Sequence, residues 1–231
     1  MAKTKKRRSF GKFLVDCVYS LVSFIALVML MWSFLFSFVL RTVQVDGQSM
    51  QDTLQNRQRM VLIRALYTPQ RGDIVVANRL DSTETTRLGV STYREPIIKR
   101  VIGVGGDVVE VTKDAVYVNG AEISEPYVHY ENSHEGITYV PEGTVFVMGD
   151  HRNASTDSRS TGPVQLENVM GHVVARMNSL TDFDVMENVT YDNIPAAPSQ
   201  ELVDKALKAM EEKAAQKAAQ KAAIEEAINN G

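Results

Sequence analysis

From Cys17 to Leu40 the chain runs 24 residues without a formal charge, dense in Leu, Val, Phe, Ile and Met. At 1.5 Å per residue a helix of that length crosses a ~30 Å hydrocarbon core, where a helix satisfies its own backbone. Trp32 and the hydroxyls of Ser20, Ser23, Ser33 and Ser37 are compatible with it, because a hydroxyl can bond back to a helix carbonyl. A cleavable leader has an apolar region of about 7–15 residues ending in a small-X-small site. This run is longer and continues into Phe38-Val39-Leu40-Arg41, so the expectation is a retained transmembrane anchor over residues 13–40. Lys3, Lys5, Lys6, Arg7, Arg8 and Lys12 precede it, and only Arg41 follows immediately. The positive-inside rule then predicts a single-pass cell-membrane protein with residues 1–12 cytoplasmic and the rest extracytoplasmic.

Charge excludes one class of partner. Beyond the six N-terminal cations, 19 Lys and Arg face 28 Asp and Glu, which is no footprint for nucleic acid. The lone cysteine, Cys17, rules out an intrachain disulfide framework, a zinc ribbon and a Cys-X-X-Cys redox site.

Within an expected extracytoplasmic domain of residues 41–185, short Val- and Ile-rich runs between 43 and 178 are bounded by Gly, Pro, Asn or Asp, at 60–66, 73–78, 96–104, 107–111, 115–118, 144–148 and 172–177. That spacing predicts strands. Asn119-Gly120 between two runs is a hairpin signal, and no helical pattern separates the runs. The expected fold is therefore mainly β, an antiparallel sheet or barrel-like domain rather than a parallel βαβ sheet. Residues 79–95 and 124–143 are polar and read as surface excursions. Residues 186–200 read as a linker, and 201–231 as an Ala/Lys/Glu-rich helical tail with a thin stripe of Val203, Leu207, Met210, Ala214, Ile224 and Ile228. The tail reads as a solvated helix with no chemistry, with pairing to a partner helix or a coil as the alternative.

Three segments carry candidate chemistry. Ser49 lies nine residues past Leu40, so even an extended chain keeps it within ~30 Å of the membrane face. An esterase elbow is not matched, because Gln51 stands where its second glycine belongs. In a strand, Lys99 shares a face with Ile97 and Val101, while Arg100 shares the other with Ile98 and Ile102. Burying a lysine among apolar neighbours favours its neutral form, and moving it from ~10.4 to ~7–8 takes roughly 4 kcal/mol of differential desolvation. Such a lysine is a general base for a serine; an edge strand with both cations snorkelling to water is the structural alternative. The third segment, 148–159, is a strand followed by a polar loop in which Asp150 and Asp157 can neutralise arginines.

Gly-X-Ser-Met-X-X-Thr-Leu at 47–54, Lys-Arg-Val-Ile-Gly-X-X-Gly-Asp at 99–107 and Gly-Asp-His-Arg-X-X-Ser-X-Asp-Ser-Arg at 149–159 together resemble the type I signal peptidase family, in the family's order. The resemblance covers about residues 10–178. It implies a membrane-anchored Ser/Lys endopeptidase, with an antiparallel β fold, that removes signal peptides from exported preproteins after small-X-small sites. By that resemblance Ser49 is the nucleophile, Lys99 the general base, and Ser155 a hydrogen-bond partner orienting the lysine amine. Met50 would line the membrane-facing cleft, and Arg100 with Asp150 and Asp157 with Arg159 would be structural ion pairs. The implied partners are preprotein substrates and the lipid bilayer, with neither a metal nor an organic cofactor. Gly47 stands where some members carry an oxyanion-hole serine, leaving more of that work to the Ser49 N–H. Asp52 replaces a common proline and is expected to point away from the cleft; Gly105 replaces another. The short stretch from 103 to 144 implies the compact form common in Gram-positive bacteria. Two rivals remain: a Ser/His/Asp hydrolase recruiting His129, His134, His151 or His172, and a non-catalytic membrane scaffold in surface-protein assembly.

Overall fold

The computed structural model describes residues 10–51, 53–64, 67–86, 89–179 and 182–229. The chain divides into two units, Met1–Arg41 and Thr42–Gly231.

The first unit is helix α1 (Phe10–Phe34), which passes into a π-helical turn at Leu35–Val39. Its large apolar side chains are exposed on all sides, from Phe13 and Leu14 to Trp32 and Phe34. Water does not accommodate such a surface, whereas lipid does. The stretch Gly11–Phe34 has the length and composition to cross a membrane. Of the six N-terminal cations only Lys12 falls within the described residues.

The second unit is built from antiparallel strands: β1 (Leu40–Gln44, entering from the first unit), β2 (Arg59–Ile63), β3 (Ile74–Thr86), β4 (Gly89–Val104), β5 (Val108–Val111), β6 (Val116–Val118), β7 (Ala121–Glu122), β8 (Gly136–Tyr139), β9 (Thr144–Met148), β10 (Val164–Gln165), β11 (Val169–Met177) and β12 (Phe183–Val185). The larger sheet runs β1-β2-β11-β3-β4-β9-β10 with β12 on β11, and the smaller runs β7-β6-β5-β8. Two α-helices accompany these strands among the described residues, the single turn α2 (Ser158–Thr161) and the 30-residue α3 (Gln200–Asn229).

Alternation explains how the sheets share a core. Every residue of β9 is buried: Val145 and Val147 face one cluster with Val75 and Val101, while Phe146 and Met148 face another with Ile102, Val109 and Val118. A strand covered on both faces loses the apolar–polar alternation of a half-exposed one, which is why 144–148 reads as a continuous apolar run. The Asn119-Gly120 pair forms the β6–β7 turn, with φ of 54° and 86° at the two residues as a type I′ turn requires.

Three expectations need correction. Residues 79–95 read as an irregular excursion, but the described ones, 79–86 and 89–95, continue β3 and β4 as a paired ribbon from Arg79↔Glu95 to Thr86↔Gly89, past a register shift between Arg79 and Ser82. Backbone hydrogen bonding sustains an antiparallel ribbon with no apolar face to announce it. Residues 136–139, inside the second excursion, form β8 against β5. The tail is not a free solvated helix. The first turns of α3 pack on β8 and β5, with Ala206 fully buried and Leu207, expected in the apolar stripe, 41% exposed. The packed stripe runs from half-buried Val203 through fully buried Ala206 to half-buried Met210, helical neighbours at i, i+3 and i+7. Lys205 Nζ meets Glu110 Oε1 at 2.9 Å, and Lys213 Nζ donates to the Arg159 carbonyl at 3.0 Å. Removing residues 200–231 is therefore expected to lower the thermal midpoint by about 5 °C, while cleavage per folded molecule changes little because no motif residue is lost. An unchanged midpoint in a calorimetric scan would mean that the docked helix contributes nothing.

Candidate functional site

The segment carrying Ser49 is a single helical turn. Gln51 N–H donates to the Gln48 carbonyl at 3.0 Å and Leu54 N–H to the Met50 carbonyl at 2.8 Å. Met50 and Leu54, four residues apart and on one face, both sit in the cluster of Val45, Met60, Leu62, Ile74, Val76 and Val173. Met50, expected to line a cleft, is only 2% exposed and anchors the turn in the core. At the entry to the turn, Gly47 has a φ of 101°, left-handed backbone that favours glycine, and its N–H donates to Asn56 Oδ1 at 3.2 Å. Ser49, half-buried, is left on the opposite side from the core. Asp52, expected to point outward, lies outside the described residues.

Lys99 reaches this serine from β4. Its side chain is buried, 4% exposed, and Nζ donates to Ser49 Oγ at 2.6 Å and to the Ile98 carbonyl at 3.1 Å. The strand is paired unevenly around it. On one side β3 runs alongside, with Val75 opposite Lys99. On the other, β9 pairs only from Arg100↔Met148 to Val104↔Val145. Among the described residues, the β9-side edge of 96–98 has no partner strand.

The loop after β9 closes over the pair. Arg100, 2% exposed, is held by Asp150 through Nε (3.0 Å) and Nη2 (2.7 Å), donates Nη1 to the Gly72 carbonyl at 2.9 Å, and lies 3.9 Å from the centre of the Tyr127 ring. Burial alone would lower its pKa, yet the hydrogen bonds and charge of Asp150 hold it above the ordinary arginine value. Asp157 binds Arg159 through both carboxylate oxygens (2.8 and 2.7 Å) and accepts the Gly149 N–H at 2.9 Å. Burial would raise its pKa, but Arg159 and the Gly149 amide keep it below the usual carboxylate range. Arg152, in the same loop, pairs with Glu125.

Gly149 itself packs against the turn that carries Ser49. A methyl group there would overlap the Ser49 carbonyl oxygen and Ser155 Oγ, and two residues later the His151 N–H donates to that Ser49 carbonyl at 3.1 Å. Ser155 Oγ lies close enough to Asp157 to favour the carboxylate but makes no hydrogen bond of normal geometry. The bond expected between Ser155 and the lysine amine is not formed; the amine donates to the Ile98 carbonyl as well as to Ser49 Oγ.

The imidazole rings of His151, His172 and His134 engage other groups. His151 stacks on Tyr130 at 3.9 Å, His172 stacks on Tyr67 and stands 3.6 Å from Asp73, and His134 Nδ1 is bonded to Ser133 Oγ. Among the described residues no imidazole hydrogen-bonds Ser49.

Sequence reasoning missed Thr53, whose Oγ1 donates to Asp150 Oδ2 at 2.6 Å, although its place four residues after Ser49 was a usable signal. It also missed Glu125 and Tyr127, which come to Arg152 and Arg100 from a stretch that carries no pattern.

The family model for signal peptidase, peptidase S26, matches residues 16–178, more than half of the chain, and defines the protein as a peptidase. A probable signal peptidase I-2 of Synechocystis sp. is 35% identical over 156 residues, covering 63% of this chain and 69% of that protein. A signal peptidase I of Bacillus amyloliquefaciens is 31% identical over 174 residues, covering 69% and 85%. A crystal structure of a signal peptidase I from Enterococcus faecalis matches with 28% identity and a TM-score of 0.37, covering 47% of this chain and 98% of that one. The chain belongs to the signal peptidase family, peptidase S26. Membership together with the apolar helix α1 makes it a membrane-anchored hydrolase of the signal-peptide-processing class.

Proposed function

We propose that the protein is a type I signal peptidase that cleaves signal peptides from exported preproteins with a Ser49/Lys99 dyad at the membrane surface. The observation that carries this reading is a buried lysine amine 2.6 Å from the oxygen of a half-buried serine. Neutral Lys99 removes the proton of Ser49 Oγ as the oxygen attacks the scissile carbonyl. The ammonium so formed then gives its proton to the leaving amine, and water, activated by the same amine, hydrolyses the ester. The tetrahedral oxyanion is received by the Ser49 N–H, since Gly47 offers no side-chain donor.

The unpaired edge of β4 gives an extended substrate a place to add as a strand. Val101 exchanges backbone hydrogen bonds with the Gly72–Asp73 segment preceding β3, so by alternation the Ile98 N–H faces the open side, next to the dyad. Small residues on the N-terminal side of the scissile bond, as in cleavage after Ala-X-Ala, suit that close approach. The N-terminal cations put the N-terminus in the cytoplasm, and the nine-residue span from Leu40 to Ser49 keeps the dyad near the bilayer.

The test is cleavage of a preprotein by the detergent-solubilised full chain, with Ser49→Ala as control; equal cleavage by both would end the proposal. Because only uncharged Lys99 can act, activity must rise with pH as the amine loses its proton. Burial disfavours the ammonium form, so the acid limb of kcat/KM is expected well below the ~10.4 of a free lysine. An acid limb at or above that value would make Lys99 a charged structural residue.

A further inference from the structure

Ser49 and Lys99 belong to segments 50 residues apart, and one carboxylate touches the supports of both. Asp150 holds Arg100, the residue after Lys99, through two hydrogen bonds, and Asp150 Oδ2 also accepts the Thr53 hydroxyl at 2.6 Å. Thr53 lies one helical turn beyond Ser49, so the two hydroxyls share a face of the turn while Met50 and Leu54 share the face in the core. The far end of the same loop contact is the His151 N–H on the Ser49 carbonyl.

We infer that Thr53 is a positioning residue, whose hydroxyl, through Asp150, sets the nucleophile turn at bonding distance from Lys99. This rests on the reading of Ser49 and Lys99 as nucleophile and base. The core anchors, Met50 and Leu54, are apolar and fix how deep the turn sits, but dispersion contacts constrain rotation about the turn axis only weakly. The hydroxyl–carboxylate bond is directional and charge-assisted, and Asp150 is itself immobilised by a doubly bonded guanidinium at 1% exposure. Rotation of the turn would swing the Ser49 hydroxyl away from the amine, and misplacement by about 1 Å in a reacting pair costs on the order of 100-fold in rate.

Thr53→Val keeps the shape and removes the hydroxyl, whereas Thr53→Ser keeps the hydroxyl. Steady-state cleavage of a peptide substrate by the full chain in detergent is measured for both, with Ser49→Ala alongside and the thermal midpoint of each variant recorded. We expect Thr53→Val to lose roughly 10- to 100-fold in kcat with KM little changed, and Thr53→Ser to recover most of it. A Thr53→Val enzyme with full kcat, or one whose loss appears in KM alone or is accounted for by the fraction unfolded at the assay temperature, overturns the inference. So does failure of Thr53→Ser to recover the rate in a folded enzyme. If Ser49→Ala itself retains activity, the dyad reading fails, a result separable from any behaviour of Thr53.

Discussion

Lys99→Ala and Ser49→Ala are each expected to lower the rate of preprotein cleavage by at least about 10³-fold while leaving the fold intact. In the proposed mechanism, removing the serine removes the atom that forms the acyl-enzyme. Removing the lysine leaves a hydroxyl with no base, since the Ser49 Oγ hydrogen bond with the amine has no imidazole to replace it among the described residues. Lys99→Arg sharpens the result: a guanidinium preserves the positive charge but does not deprotonate in the working pH range. If the amine serves as a base, the arginine variant is as inactive as the alanine one. If it serves only as a cation near the reacting carbonyl, arginine preserves a substantial part of the rate. Activity in Lys99→Arg within tenfold of the parent would sink the base assignment.

Arg100→Ala is the substitution expected to cost the most stability. The guanidinium and the Asp150 carboxylate are 2% and 1% exposed, so neither can exchange its partner for water. Deleting the cation leaves a buried carboxylate with Thr53 as its remaining side-chain partner, together with an orphaned Gly72 carbonyl and an empty space against Tyr127. Breaking a buried pair from one side costs about 3–5 kcal/mol, a large share of the roughly 5–15 kcal/mol that holds a typical domain together. Replacing both charges with apolar groups of similar volume, Arg100→Met with Asp150→Leu, should recover much of that loss, because the penalty lies in the unpaired charge. Urea unfolding of the single and double variants reads this directly. A single variant with an unchanged midpoint would show that the pair is not the structural tie its burial implies.

The parts of the fold that were legible share one trait: local periodicity carried the signal. The 24-residue apolar run reads as helix α1 because hydrophobicity without interruption has few outcomes. The Asn119-Gly120 turn was legible because left-handed backbone at two successive residues restricts residue type. The outer half of the β3–β4 ribbon was not, since its pairing is backbone to backbone and needs no apolar pattern. The tail misled for a related reason. Its buried stripe runs through Ala206, and alanine looks the same in a solvated helix as in a close-packed one.

The site divides along the same line. The apolar flanks of Lys99 and the Asp–Arg cluster of 148–159 were legible from residue type alone, whereas Ser49 stood out only through the resemblance of three segments, in order, to the signal peptidase motifs. Tertiary structure alone decided who meets whom. It brought Lys99 to Ser49, gave Asp150 to Arg100 and Thr53, matched Arg152 with Glu125 from 27 residues upstream, and turned Met50 into the core. It also left Ser155 without the expected bond to the lysine. Pairings of this kind depend on distances of a few tenths of an ångström between segments far apart in the chain. Those distances are set by how two sheets and a loop pack together, a sum over many weak contacts that no short stretch of sequence contains.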